Sequence, residues 1–227
     1  MTASNEPTRN VSAIDIVEDR TAEMNPQEGF LRFRRLVLRN RYDDGTVSEP
    51  YPCDMMSRER VDAVAVLLYD RKDGRTRVAL RTGVRPPLFF RPEKEIPHKD
   101  DSEEVMLIEL VAGLLEVEDA VPDGVERRAS LECAEEAGYA VDPADVQPLG
   151  TPMFASPGCS DERVHYRSVE TDLDVRGTPY GDGSVMEEAG EVVILDLDEA
   201  VRMCRDGRIR DAKTELALLR LRDQLAS

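Results

Sequence analysis

The chain has 227 residues, 41% of them hydrophobic, and a formal net charge of −17 from 30 basic and 47 acidic side chains. That length suits one generous domain and can bury a core without disulfide or metal staples. The negative charge argues against a nucleic-acid-binding surface, which needs cations for phosphate contacts, and no apolar run approaches the ~18 residues of a membrane span.

Residues 1–28 are polar and mixed apart from an apolar alternation at Val11 to Val17, and read as a flexible arm or a peripheral strand. The opening MTASNEPTRN has no basic segment followed by an apolar stretch, so a cytoplasmic protein is expected. Phe30 to Tyr42 alternates as a strand, and Asp43-Asp44-Gly45 is a hairpin turn signal with a partner strand expected through Val47. This makes 29–55 an N-terminal strand region ahead of a main domain over 56–227.

Asp62 to Tyr69 reads as a buried strand, Lys72-Asp73-Gly74 as a turn, and Thr76 to Arg81 as the returning strand. Arg85 to Glu104 is rich in proline and charge and reads as a long loop, a kind that is often functional. Phe89 and Phe90 in it suit either shielding from solvent or stacking on a base. Val105 to Val111 is a further apolar strand ended by Ala112-Gly113. After an acidic loop, Pro122 opens a helix that stops at Gly138. Strands are expected near Val146 to Phe154, Arg163 to Val169 and Val192 to Leu197, then helices over Asp198 to Arg205 and Ala212 to Leu225. Strands interleaved with few helices indicate an α/β or α+β sandwich. Cys53, Cys133, Cys159 and Cys204 form no CxxC pair, and with only His98 and His165 beside them no zinc site is expected.

The most informative segment is Ala129-Ser-Leu-Glu-Cys-Ala-Glu-Glu-Ala-Gly-Tyr139. On a helix, Glu132 and Glu136 stand at i and i+4, one turn apart on one face, with Glu135 at its border. Such carboxylates form either a solvated acidic face, paired with Arg127 and Arg128, or a set of hard oxygen ligands suited to Mg²⁺ or Mn²⁺. A metal would also resolve how so acidic a protein could hold a phosphate-bearing substrate.

This segment resembles the Nudix box: Gly, five residues, Glu, seven residues, then Arg-Glu-U-x-Glu-Glu-x-Gly-U with U apolar. Glu132-Cys-Ala-Glu-Glu-Ala-Gly-Tyr139 matches its second half, and Gly113 its opening glycine. The resemblance implies an α/β/α sandwich with a mixed sheet, and Mg²⁺ (or Mn²⁺) held by Glu132, Glu136 and the Ala112 carbonyl, with Glu135 in support. The sequence departs from the box in two ways. Leu131 replaces its arginine, and the stretch from Gly113 to Glu132 is four residues longer. The first box glutamate then falls on Asp123 or on Asp119, depending on the end from which one counts.

Further matches are similar to the ADP-ribose and nucleoside-diphosphate-sugar pyrophosphatase group. They are Ser156-Pro-Gly158 with Glu162, Glu187-Glu188 before the last strand, Leu197 to Thr214, and Arg85 after the strand ending near Arg81. The resemblance implies a nucleotide-sugar substrate touched by Arg85, Ser156 and Glu162. Glu188 becomes a ligand or catalytic base, with Glu191 as the alternative if the register shifts. It also implies a homodimer through the N-terminal strands. Asp211-Ala-Lys-Thr214 reads as a helix cap. The expected activity is metal-dependent cleavage of the pyrophosphate bond of ADP-ribose or a related nucleotide sugar. The alternatives are a Nudix enzyme for dinucleoside polyphosphates or coenzyme A, and a catalytically weak ligand sensor, which Leu131 would suit.

Overall fold

The structure, a computed structural model, describes residues 11–20, 30–98, 106–181 and 190–226. Its chain divides into two compact units, one of residues 1–61 with 156–162, the other of 62–155 with 163–227.

The first unit carries an antiparallel sheet of β1 (Val11–Asp19), β2 (Arg32–Tyr42) and β3 (Tyr51–Ser57) in that order. Asp15 ties β1 to β2 by accepting from Arg39 (3.1 Å) and Arg41 (2.5 Å), and the Arg35–Asp54 pair joins β2 to β3. The hairpin partner of β2 is β3, not the segment at Val47. Val47 makes only an isolated bridge to Arg41, because the chain after the turn at Gly45 runs on to Tyr51 before it pairs continuously.

The second unit is built on a mixed sheet ordered β11 (Val192–Asp196), β5 (Arg75–Val84), β4 (Ala63–Lys72), β10 (Arg163–Glu170) and β8 (Gln147–Pro148). β10 runs parallel to β4; the other pairings are antiparallel. β9 (Met153–Phe154) adds to β10. The β4–β5 hairpin closes through Asp73 and Gly74, whose φ values of +52° and +75° suit the tight turn that an Asp-Gly pair favours.

β4 is apolar without interruption because both its faces are covered. Ala65, Leu67 and Tyr69 join a core with α3 (Leu197–Arg205) and α4 (Ala212–Leu225), including Val201, Leu218 and Leu221. Val64, Val66 and Leu68 join another with Ala129, Cys133 and Ala137 of α2 (Gly124–Ala137). Helices therefore cover both faces of a mixed sheet, the expected sandwich. α2 ends at Gly138 in the left-handed conformation, φ +73°, as the glycine stop implied.

Two sequence expectations are revised in this unit. The apolar run to Val111 is not one strand ended by Ala112-Gly113. It breaks at Leu110 into β6 (Met106–Glu109), paired with β5, and β7 (Val111–Leu114), paired with β4. Ala112 and Gly113 thus lie within a strand. The stretch from Arg85 also holds a helical turn, α1 (Pro86–Phe89), and a 3₁₀ turn at Arg91–Glu93, both begun by the fixed φ of proline. Phe90 is half exposed there.

Candidate active site

The site lies where α2 crosses β7 and the end of β5. The i, i+4 spacing turns Glu132 and Glu136 toward the sheet. Glu132 is 9% exposed, and its carboxylate rests on the backbone of Gly113: a Cβ added there would stand 1.8 Å from Oε1. Any side chain at 113 would therefore have to push the Glu132 carboxylate aside. One residue earlier, the Ala112 amide donates to Glu136 Oε2 at 2.9 Å. Ala112, Gly113, Glu132 and Glu136 thus lie together where α2 meets β7.

Arg81 of β5 completes this cluster by ion pairing with Glu136, both side chains being 8% exposed. Strand alternation puts Arg81 on the same face as Ala79, which packs toward α2. A cation at that inward position was a readable signal, but its partner lies 55 positions away in sequence. Removing one member of such a buried pair costs roughly 3–5 kcal/mol, since the other charge is left uncompensated.

Across the ladder, Arg81 stands opposite Glu109 of β6. Glu109 is 3% exposed and receives a two-pronged contact from Arg85, Nε to Oε1 and a terminal nitrogen to Oε2, both at 2.7 Å. The Glu109 hydrogen bond raises the Arg85 pKa against the opposing effect of burial, with the charges of Glu109 and Glu136 adding to it. Arg85 is half exposed, so a fixed cation stands at the edge of the acidic cluster. The Lys213 ammonium lies 3.9 Å from Glu109 and 2.6 Å from Asp211, and Thr214 accepts from the Leu110 amide at 2.9 Å. Asp211 caps α4 by accepting from the Thr214 amide, as expected, and the cap also anchors the β6–β7 break beside Glu109.

Glu135 is partly buried at the border of this face, and its carbonyl accepts from the Gly181 amide at 2.9 Å. Glu187 and Glu188 lie outside the described residues. The alternative acid, Glu191, is exposed, and its backbone is tied to Thr82 of β5 by two hydrogen bonds of 2.8 and 2.9 Å. Ser156 and Glu162 belong to the first unit. There Ser156 Oγ lies 3.3 Å from Cys159 Sγ, and Glu162 is ion-paired with Arg58, which stacks over Phe30.

Among the described residues, no three His, Cys, Asp or Glu side chains are grouped so as to enclose a metal ion by themselves. The donor set nevertheless fits Mg²⁺ or Mn²⁺, which take a few protein oxygens and fill the remaining positions with water and substrate phosphate. Glu132, against Gly113, and Glu136, against the Ala112 amide, are the carboxylates that would serve.

No protein-family model matches the sequence. Curated relatives do: the chain is 36% identical over 152 residues to the GDP-mannose pyrophosphatase of Pectobacterium atrosepticum, covering 66% of this chain and 73% of that protein. It is 35% identical over 160 residues to the enzyme of the same name from Yersinia enterocolitica, with 70% and 73% coverage. The Klebsiella pneumoniae enzyme is 34% identical over 151 residues. These relatives place the chain among the Nudix hydrolases, enzymes acting on pyrophosphate bonds. Within that class the chain belongs to the GDP-mannose pyrophosphatase family.

Proposed function

We propose that this enzyme hydrolyses the pyrophosphate bond of a nucleoside diphosphate sugar in a reaction that depends on a divalent metal. The products would be a nucleoside monophosphate and a sugar phosphate. The observation that carries the reading is the convergence of Glu132 and Glu136 on Ala112 and Gly113, with the fixed cation Arg85 alongside.

Glu132 and Glu136 would hold Mg²⁺ or Mn²⁺ together with the Ala112 carbonyl. When bound, the metal neutralises diphosphate charge and lowers the pKa of a water. Arg85, kept in place by Glu109, receives a phosphate oxygen at the cluster edge and offsets the field of an acidic chain. Arg81 shares Glu136 and holds it against β7. Glu188, or Glu191 three residues nearer the last strand, would serve as the carboxylate that takes the proton from the attacking water.

The relatives are named for GDP-mannose, which makes it the first substrate to test, ahead of the ADP-ribose expected from the wider resemblance. Product chromatography on GDP-mannose, ADP-ribose and other nucleotide sugars, with Mg²⁺ or with EDTA, tests the proposal. Metal-dependent release of a nucleoside monophosphate from at least one member is expected. Turnover of dinucleoside polyphosphates or coenzyme A alone would overturn the substrate class, and undiminished turnover in EDTA would overturn the metal.

A further inference from the structure

The arginine that precedes the first helix glutamate of the Nudix box is absent here. Its place is taken by Leu131, which is 46% exposed, and the loop before the helix is four residues longer. The added length folds into a compact clamp. Val117–Asp119 forms a 3₁₀ turn closed by reciprocal hydrogen bonds: the Glu116 side chain accepts from the Asp119 amide, and Asp119 Oδ2 accepts from the Glu116 amide at 2.8 Å. The turn then meets the start of α2 so tightly that a Cβ on Gly124 would stand 1.9 Å from the Asp119 carbonyl oxygen.

From that position Asp119 Oδ2 also accepts from Arg128 Nε at 2.9 Å. Both side chains are mostly buried, at 18% and 12% exposure. Burial opposes the Arg128 charge, but the Asp119 hydrogen bond and the fields of Asp119, Glu132 and Glu116 outweigh it and raise its pKa. Arg127 differs: it pairs with Asp123, both more than half exposed, which is the ordinary surface pairing of a helix. Of the two acids that could match the first box glutamate, Asp119 is the one joined to the buried arginine.

We propose that Arg128, held by Asp119, is the positioning residue that replaces the missing box arginine, fixing the first turns of α2 so that the Glu132 carboxylate stays seated on Gly113. The inference rests on the reading that Glu132 and Glu136 bind a divalent cation. Arg128 acts on that cation in two opposed ways: its charge repels the metal, while its contacts order a ligand. A mere neighbouring charge would therefore tighten metal binding when deleted, whereas a positioning residue weakens it.

Mn²⁺ titration of the full-length protein, followed by the electron paramagnetic resonance of free Mn²⁺, separates the two. Arg128→Leu and Asp119→Ala should each weaken Mn²⁺ binding about tenfold or more, the usual effect of removing a partner that orients a ligand. The double variant should be little worse than the poorer single, since both break one contact. Leu131→Arg placed in the Arg128→Leu background should recover much of the loss, and Arg127→Leu should change nothing. Unchanged or tighter binding in folded Arg128→Leu overturns the inference; if that variant does not fold, unchanged binding in Asp119→Ala does so. A wild-type protein that binds no Mn²⁺ overturns the metal reading itself and this inference with it.

Discussion

The two faces of the larger sheet are made by alternate residues of the same strands, yet among the described residues buried charge interrupts only one. On the face covered by α3 and α4, Ala65, Leu67, Tyr69, Val78 and Leu80 meet Val201, Leu218 and Leu221. Thr214, a buried polar residue there, is satisfied locally by donating to Asp211 and accepting from Leu110. On the α2 face, Val64, Val66, Leu68 and Ala79 begin in the same way, and then β5 delivers Arg81 to Glu136. Each buried ion costs several kcal/mol of desolvation, and apolar residues of similar volume would often serve stability as well or better. On the proposed function, the difference separates a face that serves packing from one that holds charges for chemistry.

The strongest way to break that comparison is Gly113→Ala. Its methyl group would displace the Glu132 carboxylate, and misplacing a reacting group by an ångström can cost about a hundredfold in rate. Steady-state kinetics should show a fall of that size in kcat while the circular dichroism spectrum is retained; an active Gly113→Ala would mean that Glu132 need not sit there. On the opposite face, Leu218→Ala should lower stability in urea by about 2–5 kcal/mol and leave the kcat of the folded enzyme unchanged. A large fall in kcat would blur the division between the faces.

Arg85→Ala should raise KM for the nucleotide sugar about tenfold, the equivalent of one charge-assisted hydrogen bond, with a smaller effect on kcat. The smallest effect concerns His165 on β10. Burial pushes its imidazole below the usual value of 6.5, with Arg163 and Arg167 adding to the shift and Asp62 opposing it. The unfolded chain therefore takes up the proton more readily than the folded one. Stability from this residue is complete above about pH 6.5 and declines as pH falls from there toward the lower folded value. Urea titrations of wild type and His165→Gln should diverge over that range, the variant lacking this part of the decline; parallel curves would contradict it.

The sequence was legible where information is local. The uninterrupted run Ala63 to Tyr69 marked a strand covered on both sides, Asp73-Gly74 marked its turn, and Gly138 marked the end of α2. Glu132 and Glu136 were readable because four residues make one helical turn, and Gly113 through its place in the box. The partners of the site were not readable. Arg81 with Glu136 and Arg85 with Glu109 join residues 55 and 24 positions apart, a proximity that only the strand order creates. The break at Leu110 escaped because periodicity within one apolar run cannot reveal a change of pairing partner. The competition between Asp119 and Asp123 depended on how a longer loop folds, which spacing does not encode.

The most direct test of the α2 face as a metal-dependent hydrolytic centre is Mg²⁺-stimulated release of GMP from GDP-mannose by wild type, Glu132→Gln and Glu136→Gln, each checked for folding. Loss of ligand charge should remove several kcal/mol of transition-state stabilisation, on the order of a thousandfold in kcat for either variant. Wild-type turnover that survives both substitutions would contradict the assignment and leave the buried acids of α2 with a structural role only.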